Sequence, residues 1–307
     1  MASTQQIKGR IKSVKNTKQI TKAMELVAAS KMRHAQETTK ASRDYTRTAR
    51  QILTRLRELT DVSKHPLFTS RAVKNRILIV ITSDRGLAGA YNSNVLRRLT
   101  KELQNDTENG INTQVITIGK QAARFVAKVE GVDVIASYDS MPERPTITDL
   151  SPILTTVKEM FVGTKDEGRA TNDETAAAEL KPSLVDAVDV LYTDFKSSVV
   201  QEVAMDRLLP AAFTELPVSA DLGAAIFEPS PQAVLDSVAE RLVDVQLWQA
   251  YLESQASEQS SRMMAMKTAS DNAGDLIDDL TLEMNSARQA AITQELAEIV
   301  GGAEAIK

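Results

Sequence analysis

The chain contains no cysteine. Disulfides, thiol nucleophiles, zinc ribbons and iron–sulfur clusters are therefore all excluded. Histidine is nearly as scarce, with only His34 and His65, so a His-rich metal site is excluded too. Aromatic residues make up 4%, little for a chain that would stack bases or sugars. The longest purely aliphatic run, residues 77–81, is far short of the roughly 18 residues that span a bilayer. The opening MASTQQIKGR has no apolar stretch of the signal-peptide kind, so the expected setting is inside the cell. What remains is an ordinary globular composition, 42% apolar and 25% charged. A length of 307 residues makes two domains the simplest expectation.

Proline and glycine are missing from particular places. All nine prolines lie between Pro66 and Pro231, so both ends of the chain are almost free of the strongest helix breaker. Within the end segments glycine occurs only at Gly9, Gly274 and the terminal Gly301–Gly302 pair. The pattern reads as long helix, compact centre, long helix. Apolar residues in the first arm, Ile7, Ile11, Val14, Ile20, Met24, Val27, Met32 and Ala35, recur at mostly three and four, and the stripe resumes from Tyr45 through Ala49, Ile52, Leu56 and Leu59. A Val14–Thr17–Ile20 step of three predicts a local departure from the heptad. The last arm carries a similar narrow stripe from Leu235 to Ala291, rich in Ala and in Met, which adapts to irregular packing.

An arm of about 50 residues is about 75 Å long, too long to be buried in one small domain. Two such arms most simply pair antiparallel with the central domain at their base; two independent helices lying on a larger partner are the alternative. Charge is divided as well. Residues 1–57 hold 14 basic and 3 acidic residues, a net of +11, whereas the rest holds 23 basic and 38 acidic, a net of −15. Such asymmetry marks an arm that meets an acidic partner, the bland alternative being a solvated lysine-rich face.

The centre alternates strand and helix patterns. Strands are expected at 77–82, 114–119, 132–137, 187–195 and 198–210, with helices near 93–103, 120–129 and 149–162. This order predicts an α/β layer with a largely parallel sheet. A polar acidic segment, 163–182, reads as a loop. Gly86 and Gly89 follow the first strand where a phosphate loop would sit, but the spacing is G-x-x-G, no Walker Lys follows, and Asp84 would repel phosphate. A tight strand-to-helix turn is the favoured reading. No Ser/His/Asp set suggests itself, since both histidines lie outside the α/β region.

Three strings together resemble the γ-subunit family of F-type ATP synthases: ITKAMELVAASKM (20–32), TSDRGLAGAYN (82–92) and DNAGDLIDDLTLEMNSARQAAITQELAEIVGGAEA (271–305). The resemblance spans nearly the whole chain. It implies a long antiparallel coiled coil of arms 1–60 and 230–307, with a Rossmann-like α/β foot at 70–215. It implies a non-catalytic rotor shaft without cofactor or metal. Its partners would be the α and β subunits of the catalytic head, the ε subunit and the ring of c subunits. The complex would sit peripherally at the cytoplasmic face of an energy-transducing membrane, with no nucleic-acid partner.

Residue by residue, Arg288 and Gln289 match the family's pair that hydrogen-bonds a loop of the β subunit once per turn. Met24 matches a shaft position facing the β-subunit levers, with Lys18, Lys22 and Lys31 as nearby positive charge. Glu228, in AIFEP, matches a foot residue that touches the c ring, although Ala225 stands where some relatives carry an aromatic. Ala88 replaces a frequent Cys, and the 163–182 loop has no cysteine pair, which excludes thiol switching. Two alternatives stand beside this reading. One is a nucleotide-binding α/β enzyme with a coiled-coil oligomerisation arm. The other is a basic arm for RNA, against which the poor aromatic content and acidic remainder argue.

Overall fold

A computed structural model describes residues 4–61, 65–142, 144–163, 184–211 and 227–304. The 163–182 loop, apart from Gly163, and Ala225 lie outside the described residues. In chain order the elements are α1 (Thr4–Leu59), β1 (Asn75–Ile81), α2 (Tyr91–Glu108), β2 (Asn112–Ile118), α3 (Lys120–Val126), β3 (Asp133–Tyr138), α4 (Ser151–Val162), β4 (Ala187–Phe195), β5 (Gln201–Leu209) and α5 (Pro231–Glu304). Single 3-10 turns, Pro66–Phe68 and Ile147–Leu150, precede β1 and α4. The chain divides into two compact units, one of residues 1–30 with 262–307 and one of residues 31–261.

The larger unit is built on a five-stranded sheet in the order β3-β2-β1-β4-β5. The first four strands are parallel and β5 returns antiparallel beside β4. This is the Rossmann-like order with its switch point between β1 and β4. The β-branched run of β1 is buried on both faces, as a central parallel strand must be. Ile77, Ile79 and Ile81 face one layer, where α4 contributes Ile153, Leu154, Val157 and Phe161, and α5 contributes Ala239, Val243, Leu247 and Tyr251. Leu78 and Val80 face the other layer, closed by Val95, Leu99 and Leu103 of α2 and Ala122 and Val126 of α3.

At the far end of the same unit, Ala49, Leu53 and Leu56 of α1 pack against Leu235 and Leu242 of α5. Thr60, just past the end of α1, donates to Gln232 near the start of α5 at 3.0 Å, so the end of one helix lies beside the start of the other. Tyr45 and Leu59, expected in this stripe, are exposed instead, and Leu53 takes the buried place.

In the smaller unit, Ile7 and Ile11 pack on Leu280, with Val14, Ile277, Met284 and Ala287 around them. Further along α1, the Lys18 ammonium lies over Gly274, 2.8 Å from where a Cβ would stand. Thr21 and Ala28 are the next buried positions. Ile7, Ile11, Val14, Lys18 and Thr21 follow regular four-three steps, so the departure from the heptad expected at Thr17 and Ile20 does not occur. Ile20 and Val27, expected in the seam, face outward at 60% and 55% exposure. Lys18 is itself exposed, and the end of its side chain, Nζ and Cε, lies over Gly274, which has no Cβ to displace it.

Candidate functional site

The turn after β1 is the place where this fold holds nucleotides, and here its polar groups are committed to the protein. The Asp84 carboxylate accepts from the backbone N–H groups of Lys120 and Ser140, both at 3.1 Å. Thr82 Oγ1 accepts from Ala122 N at 2.9 Å. The first turn of α3, which would otherwise offer its donors to an anion, is thus capped from β1. Ser83 and Asn92 bond one another across the loop. At the switch point Tyr91 Oη meets Ser254 Oγ of α5 at 2.7 Å, and Ser257 Oγ donates to Thr193 O at 3.1 Å. The crevice is filled by the chain's own helix.

Glycine is required in this region at one of the two motif positions, Gly89, whose backbone is left-handed at φ +54°, and at Gly119, which the motif did not include. Gly86 has open space around it, so its small size is not what the turn needs. Gly119, by contrast, has φ +96°, and a Cβ there would stand 2.1 Å from Thr82 O. The backbones at the ends of β1 and β2 approach too closely for a side chain. Leu87, at φ +63°, points its side chain into solvent.

A buried ion cluster, which the sequence analysis missed, pins the start of β1. The Arg76 guanidinium reaches Asp106 at 3.0 Å and Asp189 at 3.1 Å, with Glu102 at 3.8 Å. Asp189 is also bonded by Arg207. Burial pushes the Asp189 carboxyl above the usual carboxylate range, and the two arginines pull it back. The only advance signal was an arginine placed just before an aliphatic strand. The cluster joins α2, β1, β4 and β5 structurally, away from the C-terminal ends of the strands.

The residues singled out from sequence are distributed as follows. In the smaller unit, Arg288 and Gln289 are exposed, immediately after the packed Ala287. Met24 is half-buried. Lys22 pairs with Glu25 at 3.0 Å, and Lys18 lies over Gly274. In the larger unit, Lys31 and Glu228 are exposed. The smaller unit exposes large apolar side chains: Ile20, Leu26 and Val27 on α1 and Leu282 on α5 beside the seam, and Ile292, Leu296, Ile299 and Val300 on the part of α5 that follows the last packed residue, Ala287. Among the described residues no group of three or more His, Cys, Asp or Glu could hold a metal ion, and no helix is long and apolar enough to cross a membrane.

A Rossmann-like sheet with a self-filled switch point, joined in sequence to a two-helix coil that leaves apolar side chains outside, defines a class of interaction proteins built to work inside an assembly. The profile of the family described as ATP synthase matches residues 3–306. The ATP synthase gamma chain of Cupriavidus metallidurans is 40% identical, and that of Acidithiobacillus ferrooxidans 39%, each over the full length of both chains. The chain belongs to the ATP synthase gamma-chain family. Its fold is also that of the rotor of the Euglena gracilis mitochondrial ATP synthase, with a TM-score of 0.62, 18% identity, and coverage of 94% of this chain and 98% of that one. A central-stalk chain of the Tetrahymena thermophila mitochondrial ATP synthase gives a TM-score of 0.59 at 23% identity, covering 82% of this chain and 99% of that one.

Proposed function

We propose that the chain is the central-stalk subunit of a proton-translocating ATP synthase, passing rotation of a c-subunit ring to the catalytic β subunits while catalysing nothing itself. In this reading arms 1–60 and 230–307 form the shaft and residues 70–215 the foot. The observation that carries it is the outward apolar surface of the smaller unit. Large apolar side chains exposed on both helices of a paired coil lose favourable burial unless something surrounds them. A shaft turning inside a ring of subunits needs contacts of that kind, shallow and without directional bonds.

Arg288 and Gln289, exposed just past the last packed turn, would meet a loop of the β subunit; Arg suits that task because its planar fork engages a carboxylate at two points. Met24 would face the β-subunit levers. Lys18, Lys22 and Lys31 would supply positive charge nearby, that of Lys22 being partly offset by Glu25. Glu228, exposed before α5, would touch the c ring. The ε subunit would bind at the foot, and the whole would lie peripherally on the inner face of the membrane. Purification of the tagged chain from its own cells tests the reading. The α, β, ε and c subunits should co-purify with it in near-stoichiometric amounts; a chain recovered without them refutes the proposal.

A further inference from the structure

The face of α5 that lies on the sheet changes character abruptly along its length. Ala239, Val243, Leu247 and Ala250 occupy successive turns of that face and belong to the apolar core. The next positions of the same face are Ser254 and Ser257, joined by Ser260, and all three are at 0% exposure. Serine in a helix ordinarily bonds the carbonyl one turn back. Here the hydroxyls reach other elements. Ser257 donates to Thr193 O near the end of β4 at 3.1 Å, and Ser260 donates to Ser198 O in the β4–β5 turn at 2.9 Å. Ser254 meets Tyr91 Oη at the start of α2 and accepts a long bond from Thr193 N at 3.5 Å. Gln201 closes the row, its amide donating to Ser197 O, Ser198 O and Ser260 Oγ.

Apolar packing is non-directional and holds a helix down while resisting rotation about its axis only weakly. Hydrogen bonds to main-chain groups weaken steeply with angle, so they hold a helix at one rotational setting. We propose that Ser254, Ser257 and Ser260 are positioning residues that key α5 to the β4–β5 hairpin and bear the torque passed between sheet and helix. The proposal rests on the central-stalk reading and says where within the foot twist is resisted.

The test is torsional stiffness, read from the angular fluctuations of a bead on the c ring of a synthase whose head is immobilised. The triple variant Ser254→Ala/Ser257→Ala/Ser260→Ala should assemble and lose stiffness at least twofold. Val243→Ala, which weakens the same helix through its apolar face, should lower the unfolding temperature without changing stiffness. Ser257→Thr, which keeps the hydroxyl, should leave stiffness as it is in the wild type. Unchanged stiffness in the triple variant, or an equal loss in Val243→Ala, overturns the proposal. If the triple variant does not assemble, Ser257→Ala alone is held to the same criterion. If the wild-type chain itself does not join a head and ring, the central-stalk reading falls, and the key is then read in the full chain by amide exchange. There, exchange at least tenfold faster across 193–201, with 76–81 unchanged, sustains it, and equal rates refute it.

Discussion

At the residue scale, Arg76 shows how a buried charge ties distant segments together. Its guanidinium is nearly inaccessible and lies between Asp106 and Asp189. Removing one member of such a set leaves the others buried and unpaired, which costs about 3–5 kcal/mol. Arg76→Ala should therefore lower the urea midpoint of the full chain sharply, whereas Arg97→Ala, on the exposed face of α2, should leave it almost unchanged. His65 gives a dependence on pH. Its Nδ1 accepts from Leu67 N at 3.2 Å, its Nε2 lies 3.5 Å from Asp236, and its ring meets the edge of Phe68. Burial lowers its pKa, opposed by the nearby charges of Asp236 and Glu240. The unfolded chain then binds the proton more readily, so this contribution to stability is complete above about pH 6.5 and is lost as pH falls toward the lowered folded value. Measured against wild type between pH 7.5 and 5, His65→Asn should remove part of the acid-side loss in unfolding temperature. An identical slope would show that His65 does not carry it.

At the scale of elements, the strands and helices of the centre were largely legible. Alternating short aliphatic runs and amphipathic stretches located the five strands of the described residues, because each run is a local pattern, most plainly in β1 and β4, which are buried almost throughout. The turn after β1 was legible only in part. Gly86 and Gly89 attract notice through their spacing, and Gly89 does hold a left-handed backbone, but the tightest demand is at Gly119, because its neighbour is Thr82, 37 residues earlier in sequence. Gly119→Ala combines a left-handed backbone with a backbone clash and should destabilise by about 3 kcal/mol or more. Gly86→Ala should fall within about 0.5 kcal/mol of wild type. Paired chemical unfolding of the two variants checks this, and equal effects would contradict the described geometry.

At the scale of the whole molecule, the uneven charge of the chain and its outward apolar residues both point to partners. A basic first segment and an acidic remainder favour association with an acidic surface, an attraction that salt weakens. Arg288→Ala should reduce coupled ATP synthesis in membrane vesicles roughly 10-fold, the consequence of losing about 1.4 kcal/mol of a charge-assisted contact. Circular dichroism of the isolated chain should not change, because the side chain is exposed. Synthesis at the wild-type rate would remove Arg288 from the proposed contact with the β subunit.

Periodicity, the placement of proline and glycine, and the partition of charge were sufficient to specify two terminal helices around an α/β centre, and the motif strings pointed to the family. These properties are local or additive along the chain. Which side of α1 is turned inward was not of that kind. Counting apolar residues favoured Ile20 and Val27, but the buried positions are Thr21 and Ala28, and the exposed Lys18 lays the end of its side chain over Gly274 of the opposite helix. The Arg76 cluster, the requirement at Gly119 and the serine row on α5 likewise depend on groups brought together from distant parts of the sequence. Their energies come from the surroundings of each side chain, which exist only once the sheet and its covering helices have closed.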